Sequence, residues 1–364
     1  MGAKPKGIKF VTLHLMALFN RVDKRVLKER IASDTRPRRT LSFYRYVVFE
    51  DPAALRDVLY RRWESLEVLG RIYVAREGIN AQLSVPEDRY SDFVADLNSI
   101  PGLEQIPLKF AVEDNGKSFY KLIVRVRPKI VADGLDDDAY DVTNVGKHLT
   151  AREFNDAMEL PDTLVVDMRN HYESEVGHFE GAILPDSDTF REELPLVEEL
   201  LKGSEEKKIL LYCTGGIRCE KASAYLKHKG FKDVNQLHGG IIDYVRQVKS
   251  EGLNNKFLGK NFVFDERLGE RISGEVISVC HQCGSTSDLH TNCANNDCHL
   301  LFIQCEACRE AMLGCCSENC REIFLLPEEV QRSMRKGNKK SDTHAVNRNR
   351  LRPRPGQITI RRKP

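Results

Sequence analysis

Apolar positions between residues 41 and 126 switch between a period of two and a period near 3.6, and each switch marks an element. Leu41 to Phe49 reads as a strand, and Asp51-Pro52 then supplies an N-cap and a first-turn proline. Leu55, Val58, Leu59 and Trp63 follow on one helical face. Two strands, 70–75 and 79–85, meet at Glu77-Gly78. A second helix is expected over Pro86 to Leu97, with Tyr90, Phe93, Val94 and Leu97 turned inward, and a last strand region covers 108–112 and 121–126. The order β-α-β-β-α-β predicts a split βαβ, ferredoxin-like sandwich. Such a fold does not by itself specify a ligand.

A second α/β pattern starts near residue 150. Thr163 to Asp167 and Lys208 to Tyr212 are short buried strands, and Val234 to Leu237 is a third that runs into His238-Gly239-Gly240. Helical stretches alternate with these strands, so a parallel sheet is expected. The chain therefore divides into a basic N-terminal segment (1–40), a ferredoxin-like domain (41–130), a linker (131–150), an α/β domain (151–250), a cysteine-rich region (251–325) and a basic, disordered tail (326–364). The linker assignment rests on the acidic run Asp136-Asp137-Asp138. No internal repeat is visible.

Charge changes this picture at the two ends. The chain of 364 residues has a net charge of only +2. Residues 1–40 carry a net +8 and residues 331–364 a net +11, which leaves −17 for the body. An acidic body with two basic ends suits electrostatic arms that neutralise a polyanion such as RNA. No apolar run approaches the ~20 residues that span a bilayer. Ile8 to Phe19 follows lysines as a signal peptide would, yet Lys9 and His14 interrupt it and no small-x-small site follows. A cytoplasmic protein without membrane contact is expected.

Chemistry concentrates in Cys213-Thr214-Gly215-Gly216-Ile217-Arg218-Cys219, directly after a buried strand. In an open α/β sheet, ligands bind at the carboxyl ends of the strands. The Gly215-Gly216 turn lets amide N–H groups point inward, and the helix that starts nearby adds its positive end. Both favour a thiolate at Cys213, with Arg218 as a neighbouring cation. Two chemistries use this layout, phosphate ester hydrolysis and sulfur transfer. Cysteine phosphatases place five residues between the cysteine and the arginine, whereas only four separate Cys213 from Arg218. The shorter loop suits a bare thiolate or a persulfide and excludes the phosphatase.

Nine of the eleven cysteines crowd into residues 280–320. In a chain without a secretion signal, CxxC spacing indicates metal ligands rather than disulfides. Cys280, Cys283, Cys305 and Cys308 are expected to hold one Zn²⁺ in a structural site. A second ion would use Cys293, Cys298, Cys320 and either Cys315 or Cys316, with His281, His290 and His299 as spare donors.

Residues 163–250 resemble a rhodanese domain, in VVDMRNHYESEVGHFEGA (165–182), YCTGGIRCEKASAYL (212–226) and LHGGIIDY (237–244). That resemblance implies that Cys213 is the active-site cysteine and that Asp167 and Arg169 brace its loop. A wider resemblance covers roughly residues 30–325. SFYRYVVFEDP (42–52), GRIYVAREGINAQLSVP (70–86), GKSFYKL (116–122) and GKNFVFDERLGERIS (259–273) are similar to the bacterial tRNA uridine hydroxylase (TrhO) family. It implies oxygen-dependent conversion of the wobble uridine in the tRNA anticodon loop to 5-hydroxyuridine, with Cys213 required. No flavin or nicotinamide fingerprint accompanies these motifs, and molecular oxygen is the implied co-substrate. If the substrate is tRNA, Tyr44, Tyr46, Phe119 and Tyr120 are candidates for base stacking. A thiosulfate or persulfide sulfurtransferase is the alternative that the loop alone supports. No protein partner is legible.

Overall fold

The computed structural model describes residues 22–136, 139–298 and 300–337. The leader-like stretch at 8–19, His299 and the tail beyond residue 337 lie outside the described residues. The chain forms two compact units. One runs to Arg169 and also takes in Gly181–Lys256 and Val263–Glu270; the other comprises Asn170–Glu180, Phe257–Phe262 and the chain from Arg271 onward.

The first unit begins with helix α1 (Lys24–Ser33), capped by the Asp23 side chain on the N–H of Arg25. The expected sandwich follows. Strand β1 (Arg38–Tyr46) pairs antiparallel with β3 (Gly78–Pro86), and β3 forms a hairpin with β2 (Leu69–Ala75). Gly78 makes the close approach possible, because a Cβ there would lie 2.0 Å from the Arg45 carbonyl oxygen on β1. Helix α2 (Pro52–Ser65) starts as its sequence dictates, with the Asp51 carboxylate accepting from Ala54 N–H. Trp63 on α2 is fully buried and meets Phe43 of β1 edge-on and Phe93 of α3 (Tyr90–Asn98), at centroid distances of 6.3 and 5.4 Å.

The last strand region separates into two strands on opposite edges. β4 (Lys109–Phe110) pairs with β1, and β5 (Leu122–Val126) pairs parallel with β2, giving the order β4-β1-β3-β2-β5. Local periodicity finds both apolar pieces but carries no information about which edge each will reach. This placement brings Lys109 beside β1.

The stretch read as a linker is folded into the next layer. β6 (Lys147–Leu149) is the edge strand of a parallel sheet that continues through β9 (Asp233–Leu237), β8 (Lys208–Tyr212) and β7 (Thr163–Asp167). Helices α4 (Ala151–Met158), α5 (Phe190–Leu200), α6 (Ile217–His228) and α7 (Gly240–Glu251) accompany it. Tyr140 is buried against Tyr225, with ring centroids 5.8 Å apart. Asp133 is 2% exposed because it neutralises Lys221 of α6, with Nζ at 2.8 Å; Lys221 also reaches Glu77 of the β2–β3 turn at 2.9 Å. Asp133 reads as a solvated loop residue until its buried cation is found across the fold.

The second unit packs Phe179 on Phe257 and Tyr172 on Phe262, and has little apolar interior from Arg271 onward. Gly177–Phe179 pairs antiparallel with Phe257–Asn261, and His290–Asn292 with Leu301–Ile303. Phe302 is buried among Cys293, Cys315, Cys316 and Cys320. Helices Glu306–Ala311 and Glu318–Leu325 follow. Glu328–Gly337 is also helical, within the stretch expected to be disordered: Glu328 and Glu329 favour its positive end, and Arg332 pairs with Glu328 one turn away. Among the described residues, no helix is long and apolar enough to cross a membrane.

Candidate active site

β8 ends at Tyr212 and the chain turns at once, so Cys213 sits at the carboxyl edge of the parallel sheet with none of its surface exposed. Gly216 takes the left-handed conformation, with φ of 94°, just before α6 begins at Ile217. That turn aims the Gly216 N–H at the sulfur, with the nitrogen 3.1 Å from Sγ. The Gly239-Gly240 pair then clamps the loop from behind. Ile241 and Ile242 donate to the Cys213 and Thr214 carbonyl oxygens at 3.0 and 3.2 Å. A side chain at Gly240 would place its Cβ 2.5 Å from the Cys213 oxygen, so only glycine fits.

Burial alone would push the Cys213 thiol up. A hydrogen bond from the Cys219 thiol, the Arg218 charge and the backbone N–H groups of Arg218 and Cys219 overcome it and bring the group down to about 5. Cys219 moves the other way, raised first by burial and then by its bond to Cys213, so it stays a thiol and a donor. One cysteine is therefore a thiolate at neutral pH and the other holds it.

This split is directly measurable. The thiolate absorbance of the wild type, less that of Cys213→Ser, should fall on acidification through about pH 5. In the unfolded chain the same signal should titrate near ~8.5. Because the folded value is the lower one, this group adds stability as pH rises from about 5 towards the unfolded value, and loses it as pH falls through about 5. A folded-state midpoint near that of free cysteine would remove the activated thiolate.

Asp167 and Arg169 lie at the end of β7, the strand next to β8. Both are fully buried and form a bidentate pair at 2.8 and 2.7 Å. The guanidinium carbon also stands 5.7 Å from the Tyr212 ring centroid, immediately before the loop. Met168 N–H reaches the Tyr212 carbonyl at 2.8 Å. The pair thus stiffens the strand end from which Cys213 projects. Arg218 is itself buried, 8% exposed.

The N-terminal sheet completes the surroundings. The Tyr44 hydroxyl of β1 lies over the loop, 2.9 Å from where a Gly216 Cβ would stand, and donates to Glu220 Oε1 at 2.9 Å. The Tyr46 hydroxyl donates to the Ile217 carbonyl at 3.3 Å. Glu220, in the first turn of α6, also meets His148 Nε2 at 3.0 Å and the Gln236 amide at 2.9 Å. Burial favours the protonated form of Glu220, but His148, Gln236 and Tyr44 hold its carboxyl below the ordinary value. His148 is raised in return by Glu220. Lys109 of β4 stands over the Tyr44 ring, with Nζ 4.4 Å from its centroid.

Of the four aromatic residues considered for stacking, Tyr44 and Tyr46 come to the loop. Phe119 is buried, and Tyr120 packs under Lys28 and Lys121. Reading the sequence misses Lys109, Glu220, His148 and Gln236. Each is an unremarked polar residue in its own segment, and no local spacing ties it to Cys213.

In the second unit the cysteines form two sets of four, Cys280/Cys283/Cys305/Cys308 and Cys293/Cys298/Cys316/Cys320. Within each set all sulfurs lie within 4.8 Å of one another. Cys283–Cys305 and Cys298–Cys316 are 3.6 Å apart and Cys316–Cys320 3.7 Å. A tetrahedron with Zn–S bonds of ~2.3 Å has edges of about 3.8 Å, and a disulfide needs ~2 Å. The donors fit a tetrahedral thiophilic ion. The open choice resolves to Cys316: Cys315 belongs to neither set, because its neighbouring position turns its sulfur towards the Leu313 carbonyl. His281 is engaged elsewhere, with Glu175 at 3.0 Å and Ile303 N–H at 3.2 Å.

Three family models match the chain in series. They are the UPF0176 acylphosphatase like domain over residues 38–130, the rhodanese-like domain over 150–247 and the rhodanase C-terminal segment over 258–321. A protein of Leptospira interrogans named tRNA uridine(34) hydroxylase is 57% identical over 341 residues, covering 94% of this chain and 93% of that one. A Yersinia enterocolitica protein with the same name is 57% identical over 321 residues, covering 88% and 92%. Among solved structures, a rhodanese-like domain from an Anabaena protein is 20% identical, with a TM-score of 0.25 over 31% of this chain and 78% of that one.

Proposed function

The chain belongs to the tRNA uridine(34) hydroxylase family, and from that membership we propose that it hydroxylates the wobble uridine of tRNA at C5, giving 5-hydroxyuridine. It is an oxidoreductase that consumes molecular oxygen and acts on the anticodon loop in the cytoplasm. The observation that carries the chemistry is the Cys213 sulfur, held as a thiolate by the loop amides, Arg218 and Cys219. A thiolate is the form able to attack an electron-poor ring carbon. Addition to C6 of uracil makes a sulfur–carbon bond, opens the C5=C6 double bond and moves that electron pair towards C4 and its oxygen. C5 is then electron-rich and open to an oxidant. Asp167 and Arg169 keep the strand end rigid, while Thr214, Gly215, Gly216 and Ile217 form the cradle.

The two cysteine sets support two structural Zn²⁺ ions, one on Cys280, Cys283, Cys305 and Cys308 and the other on Cys293, Cys298, Cys316 and Cys320. When bound, such ions supply fold stability and no step of the reaction.

A persulfide carrier would use the same loop. Family membership over 88–94% of the chain, and the N-terminal side chains gathered at the loop, favour hydroxylation. Nucleoside mass spectrometry of tRNA from cells lacking the chain tests the reading. 5-Hydroxyuridine derivatives should fall, return on complementation, and carry one ¹⁸O atom when the complemented cells grow under ¹⁸O₂. Unchanged levels, or thiolated uridine lost in their place, would favour the sulfur carrier.

A further inference from the structure

Lys109 is 7% exposed, and among the described residues its ammonium has neither an ion pair nor a hydrogen bond. Lysines of surface strands extend into water and cost nothing to keep charged. A lysine this enclosed, with no counter-ion at salt-bridge distance, gives up part of its hydration, which negative charge arriving beside it would replace. Its surroundings identify the place. It stands over the Tyr44 ring, and its charge is felt by Asp243, Cys213 and Glu220. Glu220 is already engaged by Tyr44, His148 and Gln236. Asp243 has Arg246 at 3.8 Å, and burial shifts its carboxyl towards the neutral form although the Lys109 and Arg246 charges oppose that shift. The other negative centre that feels Lys109 is the Cys213 thiolate, on which the substrate would arrive. Cys213 has no exposed surface, so a base reaches it past the side chains that cover the loop from the N-terminal sheet.

We infer that Lys109 is a catalytic residue contributed by the N-terminal domain, whose ammonium receives the uracil carbonyl oxygen that gains negative charge when the Cys213 thiolate adds to C6. The inference rests on the thiolate-addition reading above. In that step the sulfur lone pair becomes the S–C6 bond, the C5=C6 pair shifts to form C4=C5, and the C4=O pair moves onto oxygen. No proton or oxidant is needed. The cation is already in place and loses little to reorganisation, which is the condition for strong transition-state stabilisation. Tyr44 positions it, offering a ring face to the ammonium while its own hydroxyl is committed to Glu220.

The addition step can be observed by itself. A tRNA transcript carrying 5-fluorouridine at the wobble position, incubated with the full chain without oxygen, traps the C6 adduct once solvent delivers a proton to C5. Adduct formation is followed by intact mass. Wild type should form it, and Cys213→Ser should not. Lys109→Met should slow it by about 100-fold, with the half-saturating tRNA concentration unchanged and Cys213 still a thiolate at the assay pH. Lys109→Arg keeps the charge and should recover most of the rate, which separates this role from a folding defect.

Equal rates for Lys109→Met and wild type would overturn the inference. So would a loss confined to the half-saturating concentration, which would make Lys109 a phosphate contact. A slower rate that recovers at higher pH, with a displaced thiolate titration, would make it a mere tuner of Cys213. In each of those cases thiolate addition itself still stands. If wild type forms no adduct, the addition step fails and this role for Lys109 goes with it.

Discussion

Cys213→Ser is expected to abolish uridine hydroxylation, by about 10⁴-fold or more, while the protein stays folded. The thiol titrates at about 5, so at neutral pH nearly every molecule carries a thiolate. A serine hydroxyl in the same cradle remains protonated, because its ordinary pKa lies far above that of a thiol, and the side chains that lower Cys213 are a donor, Cys219, and a cation, Arg218. The substitution is nearly isosteric at a fully buried position, and the Gly216 N–H can donate to the new oxygen. Stability at neutral pH should fall, since the folded-state preference for the thiolate is lost, and the penalty should shrink as pH falls through about 5. Complementation with Cys213→Ser, read by nucleoside mass spectrometry beside a thermal melt, checks both halves. Activity within tenfold of wild type would take the cysteine out of the mechanism.

Removing the metal should have the largest effect on stability, and only in the cysteine-rich unit. Among the described residues of 271–325 the buried apolar side chains other than cysteine are Phe302, Ile303 and Met312. Structural zinc in comparable small modules supplies roughly 10–16 kcal/mol of apparent binding free energy. Little else is present there to hold the fold. Elemental analysis should return two zinc ions per chain. Cys280→Ser or Cys298→Ser should each leave one, and Cys315→Ser should leave two. A strong chelator should expose residues 271–325 to proteolysis while the sheets of the first unit survive. Purified protein free of metal yet protease-resistant would sink the proposal, as would loss of an ion in Cys315→Ser.

These expectations draw unequally on sequence and structure. The Cys213 loop was legible because its working parts are neighbours along the chain: strand end, paired glycines, cation and helix start fall within seven residues, so local geometry makes the cradle. Counting four residues to Arg218 sufficed to set phosphatase chemistry aside. Both cysteine pairs with CxxC spacing were legible for the same reason. The choice between Cys315 and Cys316 was not, since it depends on which of two adjacent side chains faces sulfurs some twenty residues away. Alternation of apolar residues located every strand of the sandwich, yet it could not assign β4 and β5 to opposite edges.

The sequence alone therefore determined where Cys213 sits: at a strand end before a paired-glycine turn, in a chain whose family motifs run from the first sheet to the last cysteine. Tertiary structure decided what faces it. Lys109 lies 104 positions before Cys213 and reads locally as one more surface lysine. It becomes an enclosed lysine, without an ion pair among the described residues, only because β4 joins the β1 edge, with Tyr44 beneath it and the charge of Cys213 within reach. Strand pairing at that distance is set by how two apolar sheets bury their faces, and a charge opposite a thiolate is a consequence of that packing.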